Sequence, residues 1–277
     1  MKKISVLTIL SALILTGCGR EWRFNRAMGL EKRGYYVEAV LQFDEFAKKN
    51  PADMRAPEAL YEIGRVYQKK MKLYSAAVRY YSMVLDRYPQ AAPWNRLAAV
   101  GMLNSPDYFP LKSGNFWIEG DSLTGGRNMR AEWTCQEVSS GTFRIIRKIS
   151  AGSKLVATIN RYFRKDSLQL CESPTPGDAA CTILYSFPME KGREWASSRD
   201  KREIKLKLVD TDISLKVKAG EFNGCIKISE EYAGLPGSKK YNYYAPDVGW
   251  VLTTTSSSSG QEFRNTELVS YKIFPEE

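Results

Sequence analysis

Near Pro106 the chain changes periodicity, and this change restricts its folds more than any other feature. Before it, from Arg20 to about Asn104, Tyr, Ala, Leu and Val recur at three- and four-residue steps between proline and polar breaks, the spacing of amphipathic helices. After it, runs of Thr, Val, Ile, Tyr and Trp are punctuated by turn signals such as Gly125-Gly126, Ser139-Ser140-Gly141, Ala151-Gly152-Ser153, Ala219-Gly220 and Leu235-Pro236-Gly237. In Ile204, Leu206, Leu208 and again in Ile213, Leu215, Val217 the apolar residues alternate with polar ones, mostly Lys, and Asp210 and Asp212 lie between the two runs. One buried and one wet face implies antiparallel pairing. The expected class is α+β multidomain: α-helical hairpins over residues 18–105, then an all-β antiparallel sandwich or barrel over residues 106–277.

The β region echoes itself. Phe109-Pro110-Leu111-Lys112-Ser113-Gly114-Asn115-Phe116-Trp117 returns as Phe187-Pro188-Met189-Glu190-Lys191-Gly192-Arg193-Glu194-Trp195, displaced by 78 residues. Gly141-Thr142-Phe143 returns as Gly220-Glu221-Phe222, and Tyr162-Phe163 with Asp166 as Tyr243-Tyr244 with Asp247, at displacements of 79 and 81. Three echoes in one order predict a duplication, with halves at about 109–186 and 187–273. Each half is expected to be a meander opened by a proline-entered strand whose Trp enters the core. Neither could bury its apolar face alone, and joining them removes exposed edges. The stretch Tyr243-Tyr244-Ala245-Pro246-Asp247-Val248-Gly249, with Ala219 to Phe222 and Cys225 to Ile228, resembles a β module of bacterial lipoproteins of unassigned function, over about Tyr108 to Ile273. The resemblance brings no catalytic residues.

Two helical stretches also match. Gly34-Tyr35-Tyr36-Val37-Glu38-Ala39-Val40, followed by Phe43 and Pro51, is echoed by Leu73-Tyr74-Ser75-Ala76-Ala77-Val78, followed by Tyr80 and Pro89, with Leu60, Gly64 and Tyr67 opening the second copy. This pattern resembles the tetratricopeptide repeat, as in bacterial envelope-assembly lipoproteins. The resemblance implies a groove for peptides or helices, formed in the second copy by Glu58, Tyr61, Arg65, Gln68 and Lys69, and in the first by Phe24, Met28 and Glu31.

Met1-Lys2-Lys3, an apolar run from Ile4 to Leu15, and Leu15-Thr16-Gly17-Cys18 together read as a secretory signal over residues 1–17. About a dozen apolar residues are too few for a bilayer span, which needs roughly 20. Leu-Thr-Gly-Cys resembles the lipobox of bacterial lipoproteins. That implies a diacylglycerol and an acyl chain (such as palmitate) on Cys18, and, with Gly19 following, delivery to the periplasmic face of the outer membrane. Export makes disulfides possible; four cysteines remain, with Cys171 and Cys181 flanking a Pro174-to-Asp178 turn cluster and Cys135 with Cys225 as the other candidate pair. Free buried thiols are the alternative.

The composition restricts chemistry. The chain has no histidine, which excludes Ser-His-Asp and Cys-His catalysis and imidazole metal sites. Lys and Arg number 41 against 31 Asp and Glu; removing Lys2 and Lys3 leaves 39 against 31, an excess of 8 spread along the chain. Anionic headgroups or protein surfaces suit that excess; nucleic acid is not expected after export. No metal or other cofactor is expected. Asp200, Asp210, Asp212, Glu230 and Glu231 are the acids considered for carboxylate-based glycoside hydrolysis, but they read as a solvated strand face. The expected role is therefore non-enzymatic: a lipid-anchored envelope scaffold or adaptor working through protein–protein contacts. The alternative is a carrier or binding module for a lipid, another apolar ligand or an anionic one. Intact-mass analysis of the native protein should find a mature chain beginning at acylated Cys18; an unmodified chain starting at Met1 would refute the export reading.

Overall fold

The structure, a computed structural model, describes residues 21–166, 168–177, 181–233, 237–256 and 260–274. Cys18, with the signal before it, lies outside the described residues. The chain forms two compact units that divide after Ser105.

The described residues of the first unit form five short helices: α1 (21–32), α2 (Tyr36–Lys49), α3 (Ala56–Arg65), α4 (Tyr74–Arg87) and α5 (Trp94–Leu103). A π-helical turn, Val66–Met71, extends α3 and stops at Lys72, whose φ is 55°. Apolar spacing in α2 buries Ala39, Val40, Phe43, Phe46 and Ala47 along one stripe. Phe24 of α1 packs edge-on against Phe43 and Phe46 at 5.4 and 5.5 Å. At the centre lies Tyr81, 1% exposed, which donates its hydroxyl proton to Gln68 Oε1 at 2.8 Å. Gly64 of α3 and Gly101 of α5 face its ring so closely that an added Cβ would stand 2.6 and 2.5 Å from ring carbons.

The expected tetratricopeptide domain is not formed. Tyr67 does stack on Tyr80, at 5.7 Å, but the helices do not make an array. The segment expected as a partial third repeat is α5, and it folds back so that α3 and α5 grip Tyr81 from two sides. This closes the unit, where a repeat would leave a face for the next hairpin.

In the second unit the sandwich alternative is corrected: the strands do not form two packed sheets but one twelve-stranded antiparallel sheet curled into a nearly closed barrel. Its strands are β1 (Phe116–Asp121), β2 (Met129–Ser139), β3 (Thr142–Ala151), β4 (Lys154–Asp166), β5 (Gln169–Ser173), β6 (Thr182–Ser186), β7 (Glu194–Arg199), β8 (Arg202–Val217), β9 (Gly220–Tyr232), β10 (Lys239–Ala245), β11 (Gly249–Ser256) and β12 (Glu262–Lys272). Across the sheet the order is β6-β5-β4-β3-β2-β1-β12-β11-β10-β9-β8-β7. The meanders β1–β6 and β7–β12 coincide with the two echoing stretches, joined by the antiparallel ladder of β1 on β12.

The end strands β6 and β7 meet without a ladder. Side chains make this seam: Thr182 Oγ1 donates to the Ser198 carbonyl at 2.7 Å, the Ile183 N–H donates to Ser197 Oγ at 2.8 Å, and Trp195 Nε1 donates to the Ile183 carbonyl at 3.1 Å. Trp117, the counterpart of Trp195, does enter the core, donating to the Val248 carbonyl at 2.7 Å and 3% exposed. Trp195 is half-buried at the seam, so only one of the two echoed tryptophans behaves as expected.

One end of the barrel is plugged by the segment entering β1. Phe109 stacks on Trp117 and Phe163 and meets Tyr244 edge-on. Tyr108 donates to the Gly224 carbonyl at 3.0 Å, and Asp107 binds the Lys165 ammonium through both carboxylate oxygens at 2.7 Å. Burial lowers the pKa of Lys165, and Asp107 opposes that shift. At the β1–β2 turn, Asp121 accepts hydrogen bonds from Met129 N, Thr124 Oγ1, Thr124 N and Asn128 N, which hold its carboxyl at about 2.

The Tyr81 clamp yields a sign test. Gly64→Ala in an exposed helix would stabilise by roughly 1 kcal/mol; here the methyl group meets the Tyr81 ring, and the variant should be about 1–3 kcal/mol less stable by urea denaturation. An unchanged or raised midpoint would contradict the clamp.

Candidate functional site

Of the sequence-derived groove residues, Gln68 is buried and Glu58, Tyr61, Arg65 and Lys69 are half-buried. Tyr61 packs against Tyr81 at 5.7 Å and Trp94 at 5.5 Å. Arg65 pairs with Glu31 at 2.7 Å and Glu62 at 2.6 Å. Gln68 is 4% exposed and donates to the Asn104 carbonyl at 2.6 Å. Glu58 and Lys69 are half-buried, and partial burial raises the Glu58 carboxyl pKa. Helix α5 supplies Trp94 and α1 supplies Glu31, so neighbouring helices occupy the face that the repeat resemblance assigned to a partner. Phe24 is likewise buried, among Phe43 and Phe46.

All four described cysteines are thiols. Cys171 and Cys181 approach within a hydrogen bond, and burial pushes the Cys171 thiol to about 12. Cys135 is also pushed to about 12 by burial, opposed by Lys112 and Lys165; Cys225, buried near Tyr108, rises to about 11. Among the described residues no group of three Cys, Asp or Glu side chains could hold a metal ion. Of the acids considered for glycoside chemistry, Asp210 pairs with Lys191 at 2.8 Å and Glu231 with Lys239 at 2.7 Å, while Asp212 stands at a φ of 57° within β8. Glu230 is 1% exposed and held by Arg199 and, at 3.4 Å, by Asn242.

The barrel interior is where side chains converge. A cavity of about 260 Å³ lies inside it, floored by Phe109 of the plug and walled by Trp133, Trp250, Ile145 and Phe163, with Arg147, Arg161, Arg199 and Lys240 also at its surface. Strand alternation brings these residues together. Register places Trp133 opposite Arg147 and Thr253 opposite Asn242, and Ile159, Arg161 and Phe163 share one face of β4. Trp133 and Trp250 stack at 5.5 Å with 11° between planes.

Two kinds of ion pair line this space. Glu119, 3% exposed, is tightly held: one of its oxygens accepts from Arg147 Nε at 3.0 Å, Arg147 Nη2 at 2.7 Å and Trp133 Nε1 at 3.0 Å. Arg147 also lies over the Trp133 ring, 5.3 Å from its centroid. Elsewhere on the cavity wall, Glu172 stands between two arginines, 3.5 Å from Arg161 and 3.4 Å from Arg199. Arg161, Glu172 and Arg199 also border a second cavity of about 360 Å³ with Ser173, Thr182, Ser198, Asp200 and Lys201. The three shared side chains thus form a neck where the two cavities meet.

Sequence reasoning missed this site because it took charges alternating with apolar residues for a wet face. On β3 and β4 the inward positions include charges as well. The pairing of Trp133 with Arg147 was the signal available, since a tryptophan marking the inner face carries its cross-strand neighbour inside with it.

No family model matches the chain, and no curated protein matches it. Among solved structures it is similar to a protein described as exported with a YMCC-like fold from Bacteroides fragilis, at 16% identity over 59% of this chain and 98% of that one, with a TM-score of 0.41. It is also similar to one described as a lipoprotein from Parabacteroides distasonis, at 15% identity over 60% of this chain and 98% of that one, TM-score 0.38. A third is a beta-barrel-like protein of domain DUF1849 from Brucella abortus, at 13% identity over 53% and 74%, TM-score 0.28. Likeness at these scores carries no argument about role.

The cysteine environments predict reactivity. In the reduced protein at neutral pH, iodoacetamide should alkylate half-buried Cys181 well before Cys135, Cys171 and Cys225, whose thiols burial keeps protonated. Peptide mass spectrometry over a time course reads the order; equal rates would contradict the burial described here.

Proposed function

We propose that this chain is a lipid-anchored envelope protein whose barrel interior binds a small polar ligand. The export signal and the Leu-Thr-Gly-Cys string support the location, with Cys18 carrying the diacylglycerol and acyl chain, and the periplasmic face of the outer membrane as the destination. The single observation that carries the binding reading is the cavity of about 260 Å³ inside a barrel plugged at one end, where tryptophans and charged side chains converge. Drug-sized ligands occupy about 300–1,000 Å³, so the ligand is smaller than these.

The character of the lining selects among the roles expected from the sequence. An acyl chain would leave Arg161, Arg199 and Glu172 facing hydrocarbon, at a cost of several kcal/mol per charge, so the carrier role becomes one for a polar ligand. A scaffold role through the helical unit loses the groove on which it rested. Contacts with envelope proteins remain compatible with the anchor and the basic excess, as a consequence of location. Binding is preferred to catalysis because Glu119 and Glu172, the carboxylates lining the inner cavity, are both engaged by arginine.

Native mass spectrometry of the protein isolated from its own envelope tests the proposal. A small-molecule adduct, lost on denaturation, is the expected result. Protein that stays ligand-free while in-cell crosslinks from the helical unit capture a stoichiometric envelope partner would instead restore the scaffold reading.

A further inference from the structure

We propose that the neck of the barrel, between Arg161 and Arg199, binds the oxyanion of a small ligand: a carboxylate or phosphate on a body no larger than about one sugar ring. The inference rests on the interior being a ligand site and specifies what the ligand must carry.

Charge favours an anion near these cavities. Arg147, Arg161, Arg199, Lys201 and Lys240 border the two cavities, against Glu119, Glu172 and Asp200. Adding Glu230, which sits behind Arg199, still leaves five cations to four carboxylates. The neck itself carries Arg161, Arg199 and Lys201 against Glu172 and Asp200, with Glu230 behind Arg199 balancing them, and the one surplus cation is Lys240, which borders the inner cavity.

Geometry favours an anion as well. A charge-assisted N–H···O bond runs about 2.7–2.9 Å, whereas Glu172 is 3.5 Å from Arg161 and 3.4 Å from Arg199. Arg161 reaches its other partner, Asp200, also only at 3.5 Å, and that aspartate is 67% exposed. Each guanidinium offers five N–H donors, so at the neck two of them share one carboxylate without a short bond to it. Arg199 is fixed on its far side by Glu230 and, at 3.3 Å, by the Tyr232 hydroxyl. That leaves one anchored and one loosely tethered guanidinium flanking the space where the cavities meet. An oxyanion with two or three acceptor oxygens can take donors from both.

The turn joining β7 to β8 places both Asp200 and Lys201 at positive φ, 49° and 65°. Arg199 pairs directly with Arg202, which makes this a two-residue turn of the kind that favours Asn-Gly. Left-handed backbone at a non-glycine residue costs roughly 1–2 kcal/mol. The turn sets Asp200 and Lys201 beside the arginines on the wall of the second cavity.

Trp133 and Trp250 line the inner cavity, so tryptophan fluorescence can report occupancy. The mature protein is titrated at fixed ionic strength with inorganic phosphate, glucuronate and glucose. Saturable changes are expected with phosphate, glucuronate or both, and not with glucose; which of the two binds identifies the head group. Arg161→Gln, a third exposed and checked for folding by its thermal melt, should weaken the binding anion about tenfold, and Arg161→Lys should weaken it less. Arg199 is the poorer choice for substitution because its loss strands the buried Glu230. If glucose binds as tightly as glucuronate, the charge is not read and only the general binding role survives. If neither phosphate nor glucuronate perturbs the tryptophans, or if Arg161→Gln binds like the parent, the oxyanion site is refuted whatever co-purifies with the native protein.

Discussion

A nearly closed sheet of twelve strands encloses more room than its own inward side chains fill; about eight strands is the size at which they just suffice. The features of the β unit follow from that surplus. Phe109 and Tyr108 enter from the preceding segment to block one end, and Trp117, Phe163, Tyr244 and Tyr185 pack around them. Farther along the axis no plug follows, and the space that remains is the cavity. A narrower barrel built from the same strands would have had a solid core and no site.

Width also governs the charges. With space to spare, inward positions need not all be apolar, provided each charge finds a partner, because an unpaired one costs several kcal/mol. The interior grades from Asp107 with Lys165 at the plug, through Glu119 with Arg147 and Trp133, to the shared Glu172 at the neck. Asp107 with Lys165 and Glu119 with Arg147 both pair at 2.7 Å, and Arg199 is held closely by Glu230, whereas Glu172 stands 3.5 and 3.4 Å from its two arginines. Short pairs fix strand register, since slipping β3 against β2 by one residue would turn Arg147 outward and leave Glu119 alone. Loose pairs leave donors for something else.

How much of this the sequence made legible depended on the kind of signal. The repeated Phe-Pro-to-Trp string marked where each meander starts, since a turn-and-strand entry leaves local chemistry behind. Closure into one barrel was not legible: ladder pairing of β1 with β12 joins residues about 150 positions apart, and nothing in either strand alone distinguishes that from packing two sheets face to face. The helical repeat misled for a related reason. Gly64, Tyr67 and Tyr80 do mediate close packing, yet the same small-and-aromatic pattern suits a cluster closed on Tyr81 by Gly101 of α5, and spacing cannot separate the two. The arginines of the site were hidden by alternation, which reports two faces without saying which is wet.

The two halves share an opening motif but not its use, and that divergence gives the barrel its polarity. In the first copy Phe109 and Trp117 turn inward and stop one end. In the second, Trp195 lies at the seam and its indole N–H bonds the backbone of β6, so the motif is used to join the barrel's edges. Had both copies kept the first role, two plugs would compete for the same lumen; had both kept the second, neither end would be closed. One copy of each leaves a lumen with a floor, a wall held at the seam by Thr182, Trp195, Ser197 and Ser198, and a neck where Arg161 and Arg199 meet the open side. A duplicated meander becomes a one-mouthed vessel only when its symmetry is broken in this way, so the residues that differ between the halves locate the site better than those they share.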